Sequence, residues 1–316
     1  MKSNLNDRPL IVGEVLFDCF PDHRVLGGAP FNVAWNLRGM GFDPLVITAV
    51  GDDEPGAEVR SAMSGWGMDE SGLQVLPDFA TGRVDITVEN GEPSYRFWDD
   101  VAFDHIAPPP ATVLSGSESS GNRFGLIYHG SLALRGEVSR RTIERLRGEI
   151  DCPVFIDINI RRPHFELGWI EPLLQGAEHV KLNLDELNTL GEQTASETSE
   201  SARSDRQARW EHRRRLANGL RDRYGIGNLW LTAGEDGAAW IGGDNQFESV
   251  TASRVEPMVD SVGAGDAFAA IICRGILRQL PPQESLLAAS RFAARVCRLR
   301  GATTTDPHFY ALQDLT

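Results

Sequence analysis

Six short runs of the 316-residue sequence are apolar almost without interruption, and they constrain the fold more than any other feature. They are "PLIVGEVLF", "PLVITAVG", "FGLIYHG", "PVFIDINI", "HVKLNL" and "NLWLTAG". A strand with one wet face alternates apolar and polar residues, whereas a strand covered on both faces does not. Between several of these runs stand helix-period segments: "APFNVAWNLRGMG", "GAEVRSAMSGWGM", "SRRTIERLRGEI" and the arginine-rich "RQARWEHRRRLANGLRDR". That order predicts an α/β protein, a mostly parallel sheet with helices on both sides.

One segment departs from the pattern. In "GRVDITVENGEPSYRFW", Val84, Ile86 and Val88 alternate with polar residues, Asn90-Gly91 has hairpin-turn chemistry, and Tyr95 and Phe97 alternate on the return. Half-buried antiparallel strands in a parallel protein predict a separate small sheet, placed to act as a lid. "PPPATVLSGSESSGN" and "GEQTASETSESARSD" have little to bury and read as surface loops. No internal repeat is present.

Composition narrows the function classes. With 41% hydrophobic and 24% charged residues the chain is globular, and its length permits a sizeable core. A net charge of −14 argues against nucleic-acid or anionic-membrane partners, which need clustered Lys and Arg. The arginine-rich segment is interrupted by acids and apolar residues and reads as a solvated helix face. Cys19, Cys152, Cys273 and Cys297 are far apart and read as reduced thiols. The amino-terminal apolar run is broken by Gly13, Glu14 and Asp18, unlike a signal peptide, and no run approaches the ~18 apolar residues of a membrane span. A cytoplasmic location is expected.

The chemistry concentrates in "DSVGAGDAF", residues 260 to 268, which precedes the apolar helical run "AFAAIICRGIL". Gly263, Ala264 and Gly265 therefore belong at a helix start, with Asp266 in its first turn. Two readings are open on this stretch alone. Asp266 complements the helix dipole in an ordinary turn, or the free N–H groups bind an anion with Asp266 beside it as a base. Spacing excludes a P-loop, an HExxH site and Cys/His zinc sites. Phe268 stands where a dinucleotide fingerprint needs its third glycine. Three further segments end strands in polar residues: "DINIR" (157–161), "NLDE" (183–186) and "TAGEDGA" (232–238). Ligands of parallel sheets bind beyond the strands' carboxyl ends, so these segments and the 260s point to one crevice.

These segments, with "GEVLFD" at 13–18, "GGAPFNVA" at 27–34 and "VGDDEPG" at 50–56, resemble the PfkB-type carbohydrate kinases of the ribokinase superfamily, most of all the bacterial fructokinases. The resemblance spans almost the whole chain, with Ser261 in place of a more usual threonine. It implies one three-layer αβα domain over 1–316, with a small β lid from about 14–30 and 81–103. It implies transfer of the γ-phosphoryl group of ATP, with Asp266 as base and the N–H groups of Gly263, Ala264 and Gly265 as anion hole. Asp18, Gly27, Gly28 and Asn32 match sugar-binding positions. Asn183 and Glu186 match a motif that orders magnesium through water, and Thr232, Gly234 and Gly237 match the nucleotide loop. A monovalent cation such as potassium beside the 260s and "GATTT", and a homodimer through the lid, are implied in the same way.

Ribokinase-like and phosphosugar-kinase relatives often carry lysine directly after the double glycine, where Ala29 and then Pro30 follow here, and this resemblance to the fructokinases favours a neutral sugar, fructose first. Another small sugar, a sugar acid held by Arg96 or Arg161, or a nucleoside is the nearest alternative. A non-catalytic sugar or nucleotide sensor on the same fold is the alternative of another class, although a sensor has no need of the Asp266 base.

Overall fold

The apolar runs become adjacent strands. The computed structural model of the protein describes residues 8–89, 92–115, 124–191 and 206–312. The Asn90-Gly91 turn, residues 116–122 of the first polar loop and 192–205 of the second lie outside the described residues. Nine strands form the large sheet: β1 (Arg8–Val12), β4 (Leu45–Gly51), β5 (Leu73–Leu76), β8 (Phe124–His129), β9 (Val154–Asp157), β10 (His179–Asn183), β11 (Asn228–Thr232), β12 (Ala238–Ile241) and β13 (Phe247–Val250). Their order is β13-β12-β11-β10-β9-β8-β1-β4-β5, parallel from β11 to β5, with β12 and β13 added antiparallel at one edge.

Among the described residues nine helices accompany these strands: α1 (Ala29–Gly39), α2 (Glu54–Trp66), the short α3 (Ala111–Ser115), α4 (Glu137–Glu149), α5 (Leu167–Leu174), α6 (Leu184–Gly191), α7 (Arg206–Tyr224), α8 (Ala264–Leu277) and α9 (Pro282–Val296). Strand residues alternate between two apolar cores. Leu10, Val12, Ile47, Ile127 and Leu182 face α4 to α7, whereas Ile11, Val46, Leu126 and Tyr128 face α1, α2, α8 and α9. The result is three layers, and double coverage is why the central strands carry apolar residues on both faces. Among the described residues no helix is long and apolar enough to cross a membrane.

The run "PLIVGEVLF" is not one strand, as its continuity suggested. It ends at Val12 in the large sheet and resumes as β2 (Leu16–Cys19) in a second sheet, with Gly13, Glu14 and Val15 between. That four-stranded sheet has the order β3-β2-β6-β7, where β3 is Arg24–Gly27, β6 is Gly82–Glu89 and β7 is Glu92–Phe97. The hairpin β6–β7 is antiparallel as its alternation predicts, while β6 runs parallel to β2.

Two anchors fasten the small sheet. In the "VGDDEPG" segment, Asp53 caps α2 by accepting the Gly56 N–H at 2.8 Å, and it also accepts the backbone N–H of Thr81 at 2.8 Å. Thr81 Oγ1 in turn accepts the Gly51 N–H at 2.9 Å, just before β6 begins. On the other side Arg135 grips Asp104 through two hydrogen bonds of 2.7 and 2.9 Å and reaches the Trp98 carbonyl at 2.6 Å.

Helix α7 has the solvated face expected of it, with Arg206, Glu211, Arg215 and Asp222 exposed, and a buried face besides. It buries Trp210, Leu216, Ala217, Leu220 and Tyr224, and two of its arginines hold Asp236 on the neighbouring turn. Apolar spacing gave the helix; the cross-element ion pairs were not readable along it.

Because Asp53 serves as helix cap and as root of the small sheet, Asp53→Ala should lower the denaturant midpoint at an unchanged slope, by about 1–3 kcal/mol. An unaltered midpoint would show that these bonds do not anchor the sheet.

Candidate active site

The polar segments converge at the carboxyl ends of the central strands. Asp18 lies on β2, Gly27 ends β3, and Gly28 caps α1, whose first turn carries Asn32. Asn183 ends β10 and stands in register with Thr232 at the end of β11. Gly263 caps α8, placing Asp266 in its first turn.

Two of the glycines answer to backbone geometry. Gly263 has φ +76°, and a Cβ there would stand 2.3 Å from the Ala302 Cβ. Gly28 has φ +102°, and a Cβ would meet the Glu14 carbonyl oxygen at 2.6 Å. Both are positions where L side chains are strained. Gly265 is different: its nearest neighbour is Lys181 Nζ, 3.5 Å from where a Cβ would be. Packing does not demand glycine there, so the space is open to a ligand.

Among the described residues, the N–H groups of Gly263 and Gly265 have no acceptor, while that of Ala264 reaches the Ser261 carbonyl at 3.3 Å. Two of the three groups expected to form an anion hole therefore stand free. Behind them Lys181 donates to both oxygens of Asp157, at 2.8 and 2.9 Å, and Tyr128 donates to the same carboxylate at 3.2 Å. Burial works against the Lys181 charge, yet Asp157 beside it holds the ammonium above its ordinary value. The turn thus has a fixed cation at its back.

Asp266 accepts the Asn32 side-chain N–H through Oδ2 at 2.8 Å. Removal from water, with Asp157 adding repulsion, lifts its carboxyl to about 6 against the Asn32 bond, Lys181 and Arg161. Asp18 also rises to about 6, first through desolvation, with Arg161 opposing and Asp266 adding. Its carboxylate makes no hydrogen bond among the described residues, and Asp18 Oδ2 lies 3.2 Å from the Cβ position of Gly27.

Arg161, on the loop after β9, acts electrostatically on Glu14, Asp18 and Asp266, so the structure brings it to the crevice. Arg96 is elsewhere. Register pairs Asp18 with Val84 and Val84 with Phe97, so these share one face of the small sheet. Arg96 pairs with Asp85, itself paired with Cys19, on the opposite face. Its exposed position corrects its inclusion among the sugar-facing residues; strand parity turned it outward.

Asn183 and Glu186 form a reciprocal helix cap. Glu186 N–H donates to Asn183 Oδ1 at 2.9 Å, and Asn183 N–H donates to Glu186 Oε2 at 2.8 Å. Glu186 Oε1 accepts the Ile160 N–H at 2.8 Å. Both carboxylate oxygens are thus committed to backbone amides, and among the described residues no cluster of His, Cys, Asp and Glu is built to hold a metal. The pair does not fit direct ligation of magnesium; its remaining lone pairs suit only the hydrogens of coordinated water.

Glu14 escaped the sequence reading. It lies between β1 and β2, is 2% exposed, and its Oε2 has no partner among the described residues. Desolvation pushes its carboxyl up to about 7, with Arg161 opposing and Asp266 adding. An acid inside an apolar run was the available signal. A groove of about 550 Å³ lined by Arg147, Cys152 and Glu178 lies at the opposite, amino ends of β9 and β10 and takes no part in this site.

Glu14 holds a proton more tightly in the folded than in the unfolded state, so its stability contribution is lost as pH rises from the ordinary carboxyl range through about 7. Glu14→Gln, which never ionises, should match wild type near pH ~4 and exceed it by up to about 3 kcal/mol near pH ~8. Denaturant titrations at both pH values check this, and a gain that does not grow with pH would contradict it.

Comparison with known proteins places this geometry. A fructokinase of Escherichia coli is 28% identical over 84% of this chain and 83% of its own length. An ATP-dependent 6-phosphofructokinase of Thermoanaerobacterium thermosaccharolyticum is 22% identical over 97% of this chain and 92% of its own. Among solved structures, a fructokinase from Xylella fastidiosa with bound ATP superposes with a TM-score of 0.78 at 20% identity, covering 98% of both chains. The model of the pfkB family carbohydrate kinases matches residues 11–308, which include every motif assembled above. With its sheet, small sheet and strand-end crevice in that arrangement, the chain belongs to the pfkB family of carbohydrate kinases.

Proposed function

We propose that the protein transfers the γ-phosphoryl group of ATP to the hydroxymethyl group of a neutral sugar, fructose first. The observation that carries this reading is Asp266: a carboxylate with a value of about 6, tied to Asn32 at 2.8 Å, one residue from the bare Gly265 turn. At neutral pH it is mostly ionised yet basic enough to take a proton. Its Oδ2 is occupied by Asn32, which leaves Oδ1 for the sugar hydroxyl. As the proton passes to Oδ1, the sugar oxygen forms its bond to the γ-phosphorus, and the bond to the departing ADP oxygen breaks. Charge on the transferring group falls to the free N–H groups of Gly263 and Gly265, with the Lys181 ammonium behind them. Magnesium, when bound with ATP, supplies further charge neutralisation of the phosphates; Asn183 and Glu186 would meet it through its water. Thr232, Gly234 and Gly237 are assigned to the nucleotide.

A neutral substrate is supported by the crevice's charge. Burial, and then the Asp266 charge, raises Glu14 and Asp18, burial and Asp157 raise Asp266, and Arg161 is the cation common to all three. A phosphorylated or carboxylated sugar would add another negative charge. Ala29, directly after the double glycine where the resemblance places lysine in phosphosugar kinases, is buried and uncharged. The unpartnered Asp18 carboxylate suits a pair of sugar hydroxyls. The small sheet that carries Asp18 is read as a lid, closing to exclude water that would hydrolyse ATP. Its outer face, with Trp98 42% exposed, is the surface assigned to a homodimer.

ADP release should be measured with fructose, ribose, fructose 6-phosphate, a keto-deoxy sugar acid and inosine. The neutral ketose should give the highest kcat/KM, and Asp266→Asn should lower kcat by roughly 10²–10⁴ with sugar affinity nearly kept. Preference for a charged sugar would overturn the substrate assignment. A variant keeping more than about a tenth of wild-type turnover would overturn the base, and ADP release from no sugar would leave a sensor.

A further inference from the structure

Helix α7 directs three arginines at one residue, two of them at its carboxylate. Arg206, Arg209 and Arg213 recur at three- and four-residue intervals and so share a stripe of the helix. All three reach Asp236, the last residue of the single turn Gly234–Asp236 between β11 and β12. Arg209 donates from Nε to Oδ2 at 3.2 Å and from Nη2 to Oδ1 at 2.7 Å, a fork on the carboxylate. Arg213 donates from Nη2 to Oδ2 at 2.6 Å, and Arg206 donates to the Asp236 carbonyl at 3.1 Å. The Arg213 guanidinium also lies 4.9 Å from the Trp210 ring centroid, which fixes its direction.

An isolated surface ion pair contributes little, but a fork joined to a second, largely covered guanidinium is the geometry in which such pairs do hold position. Side-chain exposure is 12% for Arg213 and 16% for Asp236. The arginine hydrogen bonds, Arg209 first and then Arg213, depress the Asp236 carboxyl to about 2, so the clamp stays charged at any working pH.

What the clamp holds is a turn that its own backbone also closes, between the paired Thr232 and Ala238. Asp236 N–H donates to the Ala233 carbonyl at 3.1 Å, Gly237 N–H to the Gly234 carbonyl at 3.1 Å, and Ala233 N–H to the Gly237 carbonyl at 2.8 Å. Gly234 faces open space, with no atom within 4 Å of where a Cβ would stand. On the Gly234 side no side chain packs on the turn, and the arginine bonds to it come from α7.

We propose that Arg209 and Arg213, acting through Asp236, are positioning residues that set the 232–237 turn for the nucleotide, so that affinity for ATP depends on them and affinity for the sugar does not. This rests on the assignment of that turn to ATP. In the full-length protein, Asp236→Asn and Arg213→Gln should each raise the KM for ATP and the Kd for ADP by about tenfold, a loss of about 1.4 kcal/mol. The sugar KM and kcat should change less than about twofold. Arg213→Lys, which keeps the charge but not the planar fork, should fall between wild type and Arg213→Gln.

If Asp236→Asn does not fold, Arg209→Gln removes one guanidinium from the clamp and carries the same comparison. Thr232→Val is measured alongside. If Thr232→Val weakens ATP binding and the clamp variants leave it unchanged, the clamp is refuted and the nucleotide turn stands. If neither changes it, the turn's assignment itself is refuted. If ATP and sugar constants rise together in the clamp variants, the arginines serve stability only and the proposal falls.

Discussion

A hydrogen bond of 2.8 Å from Asn32 Nδ2 to Asp266 Oδ2 joins the first turns of two helices that are 234 residues apart in the chain. Each helix starts on a glycine that admits no side chain, Gly28 against the Glu14 carbonyl and Gly263 against Ala302. The bond therefore sets the distance between the residues expected to hold the sugar and the carboxylate expected to deprotonate it. Both helices pack on the same face of the large sheet, and their apolar residues share one core. Sheet, cores and helix starts exist in an arrangement that makes this contact, and any shift of α1 against α8 would be felt at the carboxylate.

The crevice gathers charge at a cost in stability. Glu14, Asp18 and Asp266 all titrate above ordinary carboxyls because the fold removes them from water and sets another carboxylate near each, Asp266 for the first two and Asp157 for the third. Proton binding there favours the folded state, so as pH rises from about 4 through about 7 these groups withdraw stability. The Asp157–Lys181 pair, with side chains 1% and 7% exposed, is different: each charge compensates the other, and Tyr128 satisfies a further lone pair. One buried cluster is balanced and rigid. The other is held out of balance beside it, where a ligand's hydroxyls can supply the missing partners.

Much of this was legible in the sequence. Apolar continuity in runs such as "FGLIYHG" marked strands covered on both faces, and the switch to alternation at Val84 and Ile86 marked the separate sheet. The family motifs located the strand ends that meet in the crevice. Other features had no one-dimensional signal. The run "PLIVGEVLF" passes from one sheet into another at Gly13 and Glu14, and β12 and β13 are too short to stand out. Arg96 lies in the right segment but on the wrong face, because the register of β6 against β2 joins residues 66 positions apart and cannot be read along the chain. Glu14 and the Lys181–Asp157 pair were visible as charges inside apolar runs, and burial gives such charges their consequence. Asn183 and Glu186 were expected to order magnesium through water, and the reciprocal cap they form is a finding of the structure.

Asp266 is proposed as a base whose proton affinity is set by its site and by Asn32. The pH dependence of kcat/KM for the sugar, in wild type and in Asn32→Leu, measures this directly, since that ratio reports ionisations of the free enzyme. Wild type should show a rising limb with its midpoint near 6, falling about tenfold for each pH unit below it. In Asn32→Leu the midpoint should move to higher pH, because the lost N–H favoured the ionised carboxylate. A profile flat across that range, or a midpoint unmoved by the substitution, would contradict the account.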